Sequence, residues 1–157
     1  MIIQWRNRLV YPTELMEWAA SRPEATFYDL WDETIDPEWL FYLAEAWGAT
    51  RQQLVFAACG VARLCLPMNE TYVSLETAEA WCRGEATEYQ VRKCPTDAFY
   101  YAVNSINTSY YSASTIYTLR AGIKSPLICA TIRKHLPFER PPRPKGLTIW
   151  QRLAKED

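Results

Sequence analysis

The chain has 157 residues, 49% apolar and 22% charged with only five glycines, a balance that suits one continuous core of packed helices and excludes disordered or fibrous classes. Its formal net charge of −1 conceals two unlike parts: residues 1–100 carry eight Lys/Arg against fifteen Asp/Glu, a balance of −7, and residues 101–157 carry nine against three, a balance of +6. The opening Met1-Ile2-Ile3-Gln4-Trp5-Arg6 does not read as a secretory leader, and the nearly uncharged stretch Gln52 to Ala62 falls far short of the roughly 20 apolar residues a membrane helix needs, so a cytoplasmic location with no membrane partner is expected.

Helix punctuation is legible along most of the chain. Thr13 is placed to cap a helix running to Ala20, before Arg22-Pro23 interrupts it. Thr26 opens a second through Glu33, with Asp29 at the reciprocal capping position and Phe27, Leu30 and Trp31 at helical spacing. Asp36-Pro37-Glu38 supplies a cap, a first-turn proline and an acid at the positive end of a helix dipole. That third helix should stop at Gly48, which tolerates a left-handed turn.

Thr50 and Gln53 have the capping-box spacing, and the run Leu54 to Leu66 is apolar nearly all round, as a central buried helix requires, until Pro67 ends it. Ser74 reads as the cap of a helix through Arg83, closed by Gly84, and Thr87 with Gln90 repeats the box before Pro95. From Asp97 to about Ala121 neither proline nor glycine intervenes, which predicts one long helix rich in tyrosine, serine and asparagine. Ser125-Pro126 is a further cap plus early proline, and Pro137 closes the helix it begins. Arg140 to Lys145 then reads as a basic, polyproline-like linker, followed by a short helical turn from Leu147 to Ala154.

The expected fold is therefore all-α: a single multi-helix bundle of about seven or eight helices over residues 1–138, with a basic Pro-rich tail over 139–157. The oppositely charged parts either attract each other within that bundle, or the basic part meets an anionic partner.

Three blocks carry a resemblance: Glu38-Trp39-Leu40-Phe41-Tyr42-Leu43; Ala57-Ala58-Cys59 with Ala62-Arg63-Leu64; and Glu76-Thr77-Ala78-Glu79-Ala80-Trp81-Cys82-Arg83-Gly84-Glu85-Ala86-Thr87. Together they resemble a group of small helical proteins encoded by bacteriophages, over roughly residues 10–138, and the third block is the most specific. Ala62-Arg63-Leu64-Cys65-Leu66-Pro67 is similar, more weakly, to helical immunity proteins of polymorphic toxin systems, which neutralise a partner by binding it. Thr71-Tyr72-Val73 stands where those families tend to carry Arg-Pro-Arg, and the long helix is poorer in alanine than theirs. The resemblance implies a helical fold, a phage setting and hence a host cytoplasm.

Catalytic chemistry finds few candidates. The only histidine, His135, follows Arg133-Lys134 at a helix end, where a solvated ring interacting with the helix dipole is the plain expectation. The five cysteines have no Cys-x-x-Cys pair and should be reduced, helix-packed thiols. Asp29, Asp32, Glu33 and Asp36 fall where acids cap helices, no metal-ligand spacing occurs, and no glycine-rich phosphate loop exists. No catalytic residues, metal or cofactor are expected. Arg63, inside an apolar run, should form a buried ion pair with Glu79 or Glu76.

Recognition chemistry is richer in the final third. Tyr100 and Tyr111 can stack on a base, Asn104 and Asn107 can meet its edge, and Arg120, Lys124, Arg133 and Lys134 can hold phosphate. A non-enzymatic protein that binds and neutralises a host component is the leading expectation, the component being a small nucleotide-type immune signal or a host defence protein. A protein-binding inhibitor is the alternative. Nucleic-acid binding through Arg140, Arg143, Lys145 and Arg152 is disfavoured by the overall acidity, and a homo-oligomer stays open.

Overall fold

A computed structural model of the chain describes residues 11–65, 73–94 and 121–136. In chain order the helices are α1 Thr13–Ala20, α2 Phe27–Glu33, α3 Pro37–Trp47, α4 Arg51–Arg63, α5 Val73–Cys82, α6 Glu88–Arg92 and α7 Ser125–His135. There is no strand among the described residues, and the fold is all-α. The Tyr-rich segment from Asp97 and the tail after Leu136 lie outside the described residues.

Local sequence explains most of the helix starts. The Thr26 hydroxyl accepts from the Asp29 amide at 3.2 Å while the Thr26 amide donates to Asp29 Oδ2 at 2.8 Å. Thr50 with Gln53 and Thr87 with Gln90 build the same reciprocal box, so α2, α4 and α6 each begin with two otherwise orphan N–H groups satisfied. Asp36 Oδ1 accepts from the Glu38 amide at 2.9 Å ahead of Pro37, and α3 ends at Gly48 with φ of 110°.

Three expected caps are corrected. Thr13 is already helical, since Pro12 is the residue holding the non-helical entry conformation. Lys124 plays that part before α7, which makes Ser125 the first helical residue with no side-chain cap. Ser74 lies inside α5, one residue past its start, and is only 2% exposed. For α1 and α7 the chain enters the helix one residue earlier than the hydroxyl suggested. The regular helix of α4 also stops at Arg63, short of Leu66.

The core is organised about α4. Its Leu54, Ala57, Ala58 and Val61 join a main cluster with Leu15, Phe27, Leu30, Leu40, Leu43, Ile128 and Ile132, while its Val55, Cys59 and Ala62 join a second cluster with Leu75, Ala78, Trp81 and Val91. Helix α4 thus separates α3 and α7 on one side from α5 and α6 on the other, which is why it is apolar nearly all round. Phe27 is fully buried and stacks on Trp47 with centroids 4.4 Å apart and planes at 7°, with Trp31 on it at 5.7 Å. This aromatic stack ties α2 to α3.

Candidate functional site

Of the eight residues expected to bind a ligand, Tyr100, Asn104, Asn107, Tyr111 and Arg120 lie outside the described residues. The other three sit on or beside α7. The helix buries Ile128, Cys129, Ile132 and Leu136 and turns Lys124, Leu127, Ala130 and Lys134 outward, so Lys124 and Lys134 are solvent-facing cations near its two ends, with Leu127 51% exposed between them.

Arg133 points elsewhere. Its Nε and Nη2 donate to the Trp31 carbonyl at 3.2 and 2.9 Å, and Nη2 also donates to the carbonyls of Asp32 at 3.4 Å and Thr34 at 2.6 Å. These are carbonyls at the C-terminal end of α2, the negative end of its dipole, so the guanidinium serves as a cap brought from about a hundred residues away. The structure therefore separates Arg133, held on backbone, from Lys124 and Lys134, which are exposed.

The histidine is not solvated as expected. Its ring lies half-buried against α4, 5.1 Å from the Phe56 ring, with Nδ1 2.8 Å from the Thr131 carbonyl. A carbonyl only accepts, so Nδ1 carries the proton in that contact. The ring rests on Gly60, where a Cβ would come within 2.7 Å of both Cε1 and Nε2. Glycine lets α4 and α7 approach closely, and the imidazole fills the space.

None of the five cysteines is in a disulfide, and Cys59 and Cys129 are buried. Burial lifts Cys59 well above its ordinary value near 9, and burial together with the Glu79 carboxylate lifts Cys82 to about 12. Burial also raises Cys129, partly offset by Arg133. These thiols are protonated at neutral pH and poor nucleophiles. Between pH 9 and about 12 the unfolded chain releases protons that the folded chain retains, so stability present below pH 9 declines as pH rises. Urea unfolding at about pH 8 and about pH 10.5 should show the fall, and Cys82→Ala should reduce its slope.

Arg63 pairs with Glu79 as expected, Nε donating to Oε1 at 3.0 Å and Oε2 at 3.1 Å, but the pair is at the surface: the Arg63 side chain is 42% exposed. The arginine is the last residue of α4, which lets its head leave the apolar layer. The ion pairs Arg22–Glu33, Arg51–Glu88, Arg63–Glu79, Arg83–Glu85 and Arg92–Glu88 all join residues within the acidic part of the chain. Among the described residues no group of His, Cys, Asp and Glu is arranged to hold a metal, and no helix is long and apolar enough to cross a membrane.

Sequence reasoning missed one cluster, at α6. Tyr89 is 62% exposed, and the Lys93 ammonium lies over its ring, 4.4 Å from the centroid. Beside them Glu88 pairs with both Arg51 and Arg92, and the Arg51 guanidinium rests on Trp81 at 5.3 Å. The Glu88 carboxyl is held below its ordinary range by its hydrogen bond from Arg92 and by the charge of Arg51. The i, i+4 spacing of Tyr89 with Lys93 and of Glu88 with Arg92 was the available signal. No protein-family model, curated protein or solved structure matches the chain.

Proposed function

We propose that the chain is a non-enzymatic accessory protein of a phage, acting in the host cytoplasm by binding and neutralising a host component. The observation that carries this reading is the use made of the single imidazole: His135 is a packing group between α4 and α7, with one nitrogen on Thr131 and the other against Gly60. The raised thiol pKa values of Cys59 and Cys82 point the same way. The three sequence blocks supply the phage setting.

In the small-ligand version, a nucleotide-type signal would engage Tyr100, Asn104, Asn107, Tyr111 and Arg120, with the exposed Lys124 and Lys134 contributing charge. Titration calorimetry against cyclic dinucleotides and ADP-ribose derivatives should give saturable heat with one member of the panel. Silence across the panel removes this version.

The second reading is a protein-binding inhibitor, favoured by the exposure of Tyr89 among organised cations. One stoichiometric host protein captured by the tagged chain from host cells is the expected result under that reading.

A further inference from the structure

Among the described residues the two oppositely charged parts of the chain are not neutralised against each other. The ion pairs Arg22–Glu33, Arg51–Glu88, Arg63–Glu79, Arg83–Glu85 and Arg92–Glu88 stay within the acidic part. Helix α7 contains no carboxylate; its Arg133 is held on backbone carbonyls, and Lys134 and the preceding Lys124 form no ion pair among the described residues. Those two lysines stand about 15 Å apart along the helix, at ~1.5 Å per residue, with exposed Leu127 and Ala130 between them. Helix α1 is the counterpart. It contains no base, turns Leu15 and Ala19 into the core, and leaves Glu14 and Glu17 exposed, with Glu24 exposed in the turn beyond. These three carboxylates form no ion pair among the described residues either, since neighbouring Arg22 pairs with Glu33.

We infer that the exposed stripe of α7, made of Lys124, Leu127, Ala130 and Lys134, is a docking surface for α1 of a second copy of this chain, whose Glu14, Glu17 and Glu24 meet the lysines. Each stripe supplies the charge that the other lacks. Surface ion pairs contribute little one by one, so the contact belongs to the weak, transient class, with Leu127 and Ala130 as its apolar centre.

Net charge favours a second copy over a separate anionic partner. A polyanion approaching α7 also meets the field of residues 1–100, whose balance is −7. Two copies carry −1 each, so their overall repulsion is slight, and a net charge near zero favours association. The inference goes beyond the ligand reading and is tested without a ligand, so a silent nucleotide panel leaves it standing.

Sedimentation velocity on the full chain, over a range of protein concentrations, tests it. At about 0.01 M salt, where the Debye length is ~30 Å, the mean mass should climb with concentration toward at least twice the 18.3 kDa of one chain; at about 1 M, where it is ~3 Å, one chain should remain. Lys124→Glu with Lys134→Glu should weaken association about tenfold or more, and so should Glu17→Lys with Glu24→Lys. Glu14 is left in place because it stabilises the N-terminal end of the α1 dipole. Mixing the two double variants, or joining all four changes in one chain, should restore association. Adding Glu76→Lys and Glu85→Lys to the lysine variant restores its net charge but not the face, and should not rescue it. All six positions are exposed, circular dichroism verifies folding, and Lys124→Ala with Lys134→Ala replaces the glutamate pair should the latter disturb α7. A single-chain mass at every concentration in low salt, association untouched by the lysine variant, or rescue by the Glu76 and Glu85 changes overturns the inference. So does a single-chain mass combined with binding of oligothymidylate or phosphatidylserine vesicles that the lysine variant loses, which would give the face to an anionic partner.

Discussion

Replacing Arg133 with alanine should lower stability by about 3 kcal/mol, a large fraction of what a domain of this size possesses. The guanidinium donates to the carbonyls of Trp31, Asp32 and Thr34, and hydrogen bonds from a charged donor contribute roughly 1.5–3 kcal/mol each before the cost of leaving acceptors unmet. Trp31 is 5% exposed and Thr34 4%, so water cannot freely replace the lost donor there. Arg133→Lys should recover only part of the loss, because one ammonium cannot reproduce the planar fork that reaches several carbonyls together. Urea denaturation gives the magnitude. Hydrogen exchange gives the location: protection should fall first at the amide of Thr34, which donates to the Leu30 carbonyl at the C-terminal end of α2. An Arg133→Ala protein that matches the parent in both measurements would show that α2 is held by its aromatic stack alone.

Gly60→Leu should destabilise by about 3 kcal/mol, and the reason is the imidazole of His135. Any Cβ at position 60 meets three ring atoms at 2.7 to 2.9 Å, and the ring has little room to retreat, being held by the Thr131 carbonyl and flanked by Phe56. The smaller Gly60→Ala isolates the cause. In the parent, the clash should outweigh the helix-propensity gain of about 1 kcal/mol, giving net destabilisation. In a His135→Ala background the clash is gone, and the same substitution should stabilise α4. A sign that fails to reverse in the double-mutant cycle would place the cost of Gly60 substitution somewhere other than the α4–α7 crossing.

Some features of the fold were legible because their causes are local. A capping box needs only residues three apart, so Thr26 with Asp29, Thr50 with Gln53 and Thr87 with Gln90 were readable in sequence and are present in the fold. Gly48 and Gly84 mark helix ends for an equally local reason, their positive φ. The hydroxyls of Thr13 and Ser125 carry the same chemical signal yet stand in the first helical position, because the direction from which the chain enters decides which residue is the last non-helical one, and Ser74 lies inside α5.

The candidate site was less legible. Lys124, Arg133 and Lys134 look alike as cations near one helix, but helical phase sends Lys134 outward and Arg133 toward α2, and no nearby residue announces that α2 will be there. Tyr89 and Lys93 stand at a readable spacing; that they remain uncovered is a property of how α5 and α6 pack beneath them.

By itself, then, the order of amino acids determined the all-α class, the capped starts of α2, α3, α4 and α6, and the all-round apolar character of α4, since each follows from side chains acting on backbone within one turn or from a period of 3.6 residues. Only the tertiary structure decided that His135 would pack on Gly60, that Arg133 would cap α2, that Arg63 would pair at the surface, and that Tyr89 would stand exposed among cations. Those outcomes depend on which distant helices become neighbours, and that is settled by burying the two faces of α4 together, a sum over the whole core that no local stretch encodes.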